Sequence, residues 1–169
     1  MIAEKKKTYT ILGIDPGTRI TGYGIVKTDL TFYEPLDYGA IRPPPKLPLF
    51  ERQLIIHEAV AHLLELHPID AISIESQYVN KNPQSALKLG MAKGVAILAG
   101  TQRKIPVFEY APKKAKIAVV GTGNATKEQV GRMIQVLLHL PEVPHPEDAA
   151  DALALALCHS HHIKGFNYA

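Results

Sequence analysis

Four acidic residues occupy positions from which a folded chain could bring them together. Asp15 follows an apolar run that starts at Thr10, and Glu75 follows a second short apolar run. Asp148 and Asp151 open a run with high helix propensity, and their spacing of three puts both carboxylates on one helical face. Four carboxylates form the oxygen-rich ligand set that Mg²⁺ or Mn²⁺ prefers. Paired metal ions activate water and stabilise a leaving oxygen, so the predicted chemistry is displacement at phosphorus.

Each of these acids also has a simpler explanation. An Asp before Pro16-Gly17 commonly accepts hydrogen bonds from its own turn, and this segment alone leaves the two interpretations of Asp15 even. An acid in the first turn of a helix is often only a partner of the helix dipole. The recurrence of the pattern favours a functional site over these explanations. A second acid, Glu75, follows a predicted core strand, and two further acids share one helical face.

The hydrophobic pattern predicts the strands and helices that would position the acids. The predicted strands are residues 10–14, 21–27, 38–42, 70–74 and 105–110. The predicted helices are residues 49–66, 83–99 and 113–120, a helix capped by Thr126, and a helix that begins at Glu147. We expect the first two strands to form a hairpin with Asp15 near its open end. We expect helix 49–66 to cover the sheet with Leu54, Ala61 and Leu64.

The helix that begins after Asn82 carries three small residues, Ala86, Gly90 and Gly94, at intervals of four. Glycine inside a helix costs roughly 1 kcal/mol relative to alanine, so the expected compensation is close approach of another backbone. That backbone belongs either to the core of the same chain or to a second copy of it. The sequence does not decide between them.

The composition predicts one soluble globular domain. The chain has 169 residues, of which 46% are hydrophobic, enough for a single core. The predicted domain spans residues 1–169, with 1–8 as a basic extension and 160–169 as a C-terminal tail. No apolar run is long enough to span a bilayer and the first residues lack the apolar block of a signal peptide, so the expected location is the cytoplasm, with no membrane partner. The single cysteine, Cys158, is expected to be a buried thiol.

Positive charge is concentrated in one segment of the chain. Residues 103–132 contain seven Lys or Arg and two Glu, which favours a polyanionic partner, although a charge run is usually only a solvated surface. Two predicted helices are joined here through Gly121-Thr122-Gly123, and the amides of such a turn suit a phosphate. Lys127 lacks the flanking glycine and hydroxyl residue of a nucleotide P-loop, so that function is excluded.

Several segments, taken in order, resemble one known family. They are Gly13-Ile14-Asp15-Pro16-Gly17-Thr18-Arg19, Ile74-Glu75, Ser85-Ala86-Leu87-Lys88-Leu89-Gly90, Pro106-Val107-Phe108-Glu109-Tyr110 and Asp148-Ala149-Ala150-Asp151-Ala152-Leu153-Ala154. Together they resemble the RuvC-type Holliday junction resolvases, the crossover junction endodeoxyribonucleases, over residues 11–159. Each segment alone is weak, whereas their order and spacing are highly specific.

The resemblance implies a fold, an activity and partners. The fold would be α/β and RNase H-like, with a mixed five-stranded sheet flanked by helices. The activity would be that of a Mg²⁺-dependent, structure-specific endonuclease, with two ions per site and Mn²⁺ as the alternative ion. Such an enzyme resolves four-way DNA junctions by paired cuts in opposing strands during recombination and repair. The implied partners are a second copy of the chain, in a homodimer, and a branch-migration helicase complex of the RuvA and RuvB type.

The resemblance also assigns residues to roles. The catalytic and metal-binding positions of the family correspond to four acids, Asp15, Glu75, Asp148 and Asp151. The predicted DNA contacts are one aromatic residue and the lysines of the basic segment, Tyr78, Lys113, Lys114, Lys116 and Lys127. Lys116 and Lys127 match basic residues that act at the substrate. Tyr78 replaces the more familiar Phe, and both rings offer a face for stacking.

Three other functions share parts of this pattern. Asp15, Gly17 and Thr18 on a hairpin also resemble the phosphate loop of actin-like ATPases and sugar kinases, but those need a second lobe that 169 residues hardly allow. A DNA-binding module without catalysis would have no reason to hold four converging acids. A small RNase H-like nuclease that acts on RNA stays open. Cleavage of a four-way DNA junction, compared with duplexes and RNA hairpins, discriminates between a junction resolvase and this RNA nuclease.

Overall fold

Five strands within the described residues form one mixed sheet. The computed structural model describes residues 6–76 and 82–167, and its strands are β1 (Tyr9–Asp15), β2 (Thr21–Thr28), β3 (Tyr33–Ile41), β4 (Ala71–Glu75) and β5 (Val107–Tyr110). Their order across the sheet is β3-β2-β1-β4-β5. β1, β2 and β3 form an antiparallel meander, whereas β4 pairs parallel with β1 and β5 pairs parallel with β4. The predicted mixed five-stranded sheet is confirmed.

Helices cover both faces of this sheet. They are α1 (Leu49–Leu66), α2 (Pro83–Gln102), α3 (Pro112–Val120), α4 (Lys127–Leu137) and α5 (Glu147–Asn167). Side chains alternate between the two faces along a strand, so Leu12 packs in one core with α1 and α2, and Ile11 in another with α3, α4 and α5. Asp15 and Glu75, at the ends of β1 and β4, therefore lie in a sheet that has helices on both of its faces.

α5 approaches the sheet closely because glycine lies beneath it. A Cβ atom at Gly13 would stand 1.9 Å from the carbonyl oxygen of Ala152, and one at Gly24 would stand 2.6 Å from Leu153 Cδ2. Leu153 and Leu157 are fully buried in the resulting contact, and each contributes roughly 1.5–3 kcal/mol of hydrophobic stabilisation. The helix is thus held at a short, fixed height above β1 and β2.

Most predicted elements are confirmed, and α1 agrees with the prediction at both ends. β3 begins earlier than predicted because Asp29 Oδ1 accepts hydrogen bonds from the amides of Thr31 and Phe32, which reverses the chain directly after β2. β5 begins later than predicted because the Ile105 amide donates a hydrogen bond to the carbonyl oxygen of Gly100. That bond belongs to the end of α2, which is three residues longer than expected.

Two expectations were wrong, one about the position of Asp15 in the hairpin and one about the C-terminal tail. Asp15 lies at the turn end of the β1–β2 hairpin, where it is paired with Gly22, and not at the open end. Residues 160–167 are not a tail but the last part of α5. The helix continues because Ser160 is buried and Ile163 packs against the core, so the segment has its own apolar contacts.

The predicted apolar stripe of α1 was only partly right. Leu54 is 54% exposed, although Leu64 is buried as expected. The buried face is centred on Gln53, Ile56 and Val60, whose spacing of three and four keeps them on one side of the helix. Leu54 follows Gln53 by one position and is therefore rotated away from the sheet.

The glycine face of α2 is not buried against this chain. A Cβ atom at Gly90 or Gly94 would meet no atom of the described residues within 4 Å. Leu87, three residues before Gly90, is 67% exposed. Within the described part of the chain, burial of this face in the chain's own core is excluded.

Two expectations from composition concern the single cysteine and membrane-spanning segments. Cys158 is buried as predicted, and burial raises the pKa of its thiol to about 11, which keeps it protonated and unreactive. Among the described helices, none is both long and apolar enough to cross a membrane.

Candidate active site

Asp15 and Glu75 lie side by side because they end neighbouring parallel strands. Ile14 is paired with Ile74 in the β1–β4 ladder, so the next residue of each strand leaves the sheet at the same edge. Both acids are half-buried, and their side chains are hydrogen-bonded to each other. A hydrogen bond between two carboxyl groups needs a proton on one of them, and this neighbour contributes to the raised pKa of Asp15.

α5 brings the second pair of acids to the same place. Asp148, in its first turn, stands over Gly22, the residue that pairs with Asp15 in the hairpin. A Cβ atom at Gly22 would stand 2.0 Å from the Asp148 carbonyl oxygen, so glycine is required for this approach. Asp151 follows one turn later, and both helix acids add negative potential at Asp15. The structure thus brings the four predicted acids together.

The electrostatics of the cluster are those of crowded negative charge. Burial, the hydrogen bond and charge of Glu75, and the charges of Asp151 and Asp148 together raise the pKa of Asp15 to about 9, and burial is the largest of these causes. Burial also raises the pKa of Asp151, against the opposing effect of Lys127. A cation placed among these groups would relieve the repulsion.

Lys127 supplies one positive charge to the cluster. Its Nζ atom lies 3.2 Å from Asp151 Oδ2 and 3.7 Å from Glu147 Oε2. The negative charge of Asp151 is the main reason that the pKa of Lys127 is raised, while burial opposes the shift. The predicted capping box is present: Thr126 accepts from the Gln129 amide and the Gln129 side chain accepts from the Thr126 amide. This cap starts α4 at Lys127 and so places the lysine beside the acids.

A cleft of ≈ 280 Å³ opens over these side chains. Its charged lining consists of Asp15, Glu75, Asp151, Lys116 and Lys127. Its apolar lining comes from α3, α4 and α5, including Ala115, Val130 and Leu155. Asp148 is not among the lining residues, and its main chain lies at the contact with Gly22. The cleft therefore presents acids and lysines together on a firm apolar base.

Two other predicted DNA contacts, Lys113 and Lys114, are not among the residues that line the cleft. Lys113 and Lys114 are exposed on α3. The stem of Lys113 packs over Gly123, where an added Cβ would stand 2.4 Å from Lys113 Cγ, and Lys114 Nζ lies 5.3 Å from the centre of the Tyr110 ring. Tyr78 is outside the described residues, so its placement is untested.

Two residues near the cluster were not predicted. Glu147 pairs with Lys127, and its only sequence signal is that it precedes Asp148 at the helix start. Arg52 donates from Nη2 to the Thr18 carbonyl oxygen at 2.6 Å, in the turn that directly follows Asp15. No local pattern connects residues this far apart in the chain, so sequence reasoning could not find that contact.

The donor set fits a hard divalent cation. In residues 6–76 and 82–167, no three Asp, Glu, His or Cys side chains already stand at the mutual spacing of a metal site. These acids already have other partners: Asp15 is hydrogen-bonded to Glu75, and Asp151 forms an ion pair with Lys127. The raised pKa of Asp15 and the ammonium group of Lys127 reduce the negative charge that a cation would otherwise balance. Carboxylate oxygens are the ligands that such ions prefer, so the chemistry of the donors fits the ion.

Comparisons with known proteins agree on one family. The sequence pattern of the family described as Crossover junction endodeoxyribonuclease RuvC matches residues 11–159. The chain is 57% identical over 150 residues to the crossover junction endodeoxyribonuclease RuvC of Protochlamydia amoebophila, and the alignment covers 89% of each protein. It is 45% identical over 150 residues to the protein of that name from Desulforamulus reducens, covering 89% of this chain and 92% of the relative.

Solved structures give the same result for the fold. T. thermophilus RuvC in complex with Holliday junction substrate has a TM-score of 0.88 and 33% sequence identity, covering 94% of this chain and 96% of that one. The yeast mitochondrial Holliday junction resolvase Ydc2 has a TM-score of 0.65 and 14% identity, covering 95% of this chain and 84% of that one. The second likeness concerns the fold alone. The expected RNase H-like fold is confirmed.

Proposed function

The chain belongs to the family of RuvC crossover junction endodeoxyribonucleases, and from this premise we propose how its residues perform the family's reaction. It is an endonuclease that hydrolyses phosphodiester bonds and resolves four-way DNA junctions in recombination and repair. We assign the catalysis to four acids, Asp15, Glu75, Asp148 and Asp151. The observation that carries this assignment is the Asp15 carboxyl group, whose pKa is raised to about 9 by burial and by the other acids around it.

The family's activity depends on a metal, and we propose Mg²⁺ as the ion, two per site, with Mn²⁺ as the alternative. The support is the chemistry of the donors, because the lining of the cleft offers the carboxylate oxygens of Asp15, Glu75 and Asp151. Such ions, when bound, make water acidic enough to act as a nucleophile and stabilise the leaving oxygen.

The residues of the chain have distinct tasks in this scheme. Asp15 and Glu75, at the ends of β1 and β4, would hold the metal together with Asp148 and Asp151, whose charges act on Asp15 in this structure. Asp151 is paired here with Lys127. Lys127 and Lys116, which line the cleft, would contact the scissile phosphate and balance its charge.

We propose that the surface around the cleft binds the arms of the junction. Lys113 and Lys114 extend the positive charge of Lys116 along α3 and are exposed. Contacts between such lysines and phosphates supply affinity without sequence preference. Tyr78 is proposed to stack at the branch point. Tyr78→Ala should therefore fail on junctions that Tyr78→Phe still cuts, and equal activity of the two would indicate a structural ring.

We propose that the working form is a two-fold dimer that meets through α2. Resolution needs cuts in two opposing strands, and isologous association presents two identical sites in opposite orientation. The face of α2 at Gly90 and Gly94 is open, and the exposed side chains of Leu87 and Leu98 lie on the same helix.

A substitution on this face tests the dimer. Gly90→Leu should stay folded by circular dichroism, sediment as a monomer, and nick junctions without resolving them. Gly165→Leu, at another helical glycine with open space, is the matched control. A wild-type protein that sediments as a monomer on a junction would overturn the dimer.

The remaining proposals concern the setting of the reaction. We propose that a branch-migration helicase complex of the RuvA and RuvB type delivers the junction, since resolution follows branch movement. Because the substrate arises during recombination, we propose that the enzyme works in the cytoplasm. We treat the chain as one nuclease domain because both of its cores share the same sheet.

Amide substitutions of the four acids test the assignment. Each of Asp15→Asn, Glu75→Gln, Asp148→Asn and Asp151→Asn should abolish cutting of a synthetic four-way junction. Junction binding should persist, because carboxylates repel phosphate and lysines supply the affinity. Glu58→Gln, an exposed acid of α1, is the control and should cut normally. Loss of binding together with cutting in Asp15→Asn would contradict the metal-holding role, and faster cutting of an RNA hairpin would favour an RNA substrate.

A further inference from the structure

One arginine reaches from α1 to the turn that follows Asp15. Arg52 lies near the start of α1, and its Nη2 atom donates a hydrogen bond of 2.6 Å to the carbonyl oxygen of Thr18. Its Nε atom is buried and has no hydrogen-bond partner among the described residues. Arg52 is half-buried, and only part of its donor capacity is used. Such a group is oriented by its packing, so its bond to Thr18 has a fixed direction.

The tip of the turn is exposed, whereas Pro16 at its start is buried. Residues 16–20 connect β1 to β2, and Thr18 and Arg19 are exposed. A Cβ atom at Gly17 would stand 2.0 Å from the Ile20 carbonyl oxygen, so the chain folds back tightly on itself here. The exposed tip has few packing contacts of its own, so a hydrogen bond to Thr18 restrains it. The bond from Arg52 is charge-assisted, which makes it stronger than a neutral one.

α1 is a firm anchor for that bond. Its Ile56 and Val60 side chains are buried against the sheet in the same core as Ile14, the residue before Asp15. Arg52 thus connects the turn on one side of Asp15 to a helix that packs against the strand on its other side. The Asp15 carboxyl group is held between two fixed points.

We infer that Arg52 is a positioning residue for Asp15, an inference that rests on the function proposed above. Asp15 is hydrogen-bonded to Glu75 and lies close enough to Asp151 to be affected by its charge, and its backbone continues directly into the turn that Arg52 contacts. Without the guanidinium group the turn loosens, and the end of β1 can shift. Lysine cannot replace it fully, because a single ammonium lacks the planar fork that both packs and donates.

The test compares Arg52→Met and Arg52→Lys with Arg103→Met. Arg103 is a matched control because it also donates to a main-chain carbonyl, that of Ala99, and it pairs with Glu65 away from the cleft. Three quantities are measured for each full-length protein. They are the single-turnover rate of junction cutting at saturating protein with Mg²⁺, the junction Kd without divalent ions, and amide hydrogen exchange in residues 16–21.

Arg52→Met should lower the cutting rate by about 10–100-fold, the range for loss of a group that orients an active-site ligand. Its junction Kd should stay unchanged, and residues 16–21 should exchange faster. Arg52→Lys should recover part of the rate, because it keeps the charge and the stem. Arg103→Met should behave as wild type in all three measurements.

Several results would overturn the role of Arg52. One is hydrogen exchange in residues 16–21 of Arg52→Met at the wild-type rate. Another is a loss of cutting rate in Arg52→Met no larger than that in Arg103→Met. The third is an equal loss of cutting rate in Arg52→Met and Arg52→Lys, with melting temperatures lowered equally. A wild-type protein that does not cut junctions would instead refute the proposed function. The exchange measurement would still report on the turn in that case, so the two failures are distinguishable.

Discussion

Gly22→Ala tests whether the close approach of α5 to the hairpin sets the geometry of the acids. The added Cβ would stand 2.0 Å from the Asp148 carbonyl oxygen and 2.9 Å from Asp148 Cβ, whereas ordinary contact begins at 3.4 Å. If the helix moves to relieve the clash with the carbonyl oxygen, its first turn shifts outward by about 1.4 Å. Overpacking of this kind costs roughly 1–3 kcal/mol of stability. A displacement of about 1 Å at a reacting group costs about 10²-fold in rate.

The assay combines thermal unfolding with single-turnover cutting of a four-way junction. Gly22→Ala should lose both stability and about 10²-fold in rate, while junction binding persists because the lysines are unchanged. Gly165→Ala is the control, since it adds the same methyl group to α5 where no atom lies within 4 Å. It should keep the wild-type rate and gain up to about 1 kcal/mol from helix propensity.

Two outcomes would refute this reasoning. One is a Gly22→Ala protein with wild-type stability and rate, which would mean that α5 adapts without moving the acids. The other is a loss of stability with an unchanged rate, which would mean that the separation between Asp148 and Asp15 does not govern catalysis.

Three further predictions follow from the charges. Millimolar Mg²⁺ should raise the melting temperature, because a bound cation relieves the repulsion around Asp15; no shift would count against a metal site. Lys116→Ala should weaken junction binding and reduce the slope of log Kd against log salt by about 1, and an unchanged slope would remove Lys116 from the interface. Burial and the nearby charge of His162 lower the pKa of His159 to about 4, below its ordinary value of 6.5, so the unfolded chain takes up a proton first. The contribution of His159 to the free energy of unfolding should therefore be lost as the pH drops from 6.5 toward 4, so the difference in stability between wild type and His159→Gln should change over this range. A pH-independent difference between the two proteins would contradict this assignment.

The sequence by itself determined those features that depend on neighbours along the chain. The Asn82 side chain accepts hydrogen bonds from the amides of Gln84 and Ser85, as its position before Pro83 predicts. The capping box at Thr126 is present for the same reason. Asp15 and Glu75 were expected at strand ends because apolar runs stop at each of them. Local hydrogen bonding and hydrophobic periodicity carry this information, and both can be read from adjacent residues.

Only the tertiary structure decided how the acids meet and what compensates their charge. Lys127 and Asp151 are 24 residues apart and Arg52 and Thr18 are 34 apart, so neither contact has a local signal. The bond between Asp15 and Glu75 depends on β1 and β4 being neighbours, although β2, β3 and α1 separate them in the chain. The raised pKa of Asp15 follows from burial that exists only once α5 lies on the hairpin, and that position depends on the missing side chain of Gly22. Packing between distant segments and the desolvation that it causes have no counterpart in residue order, which is why the sequence identified the acids but not their coupling.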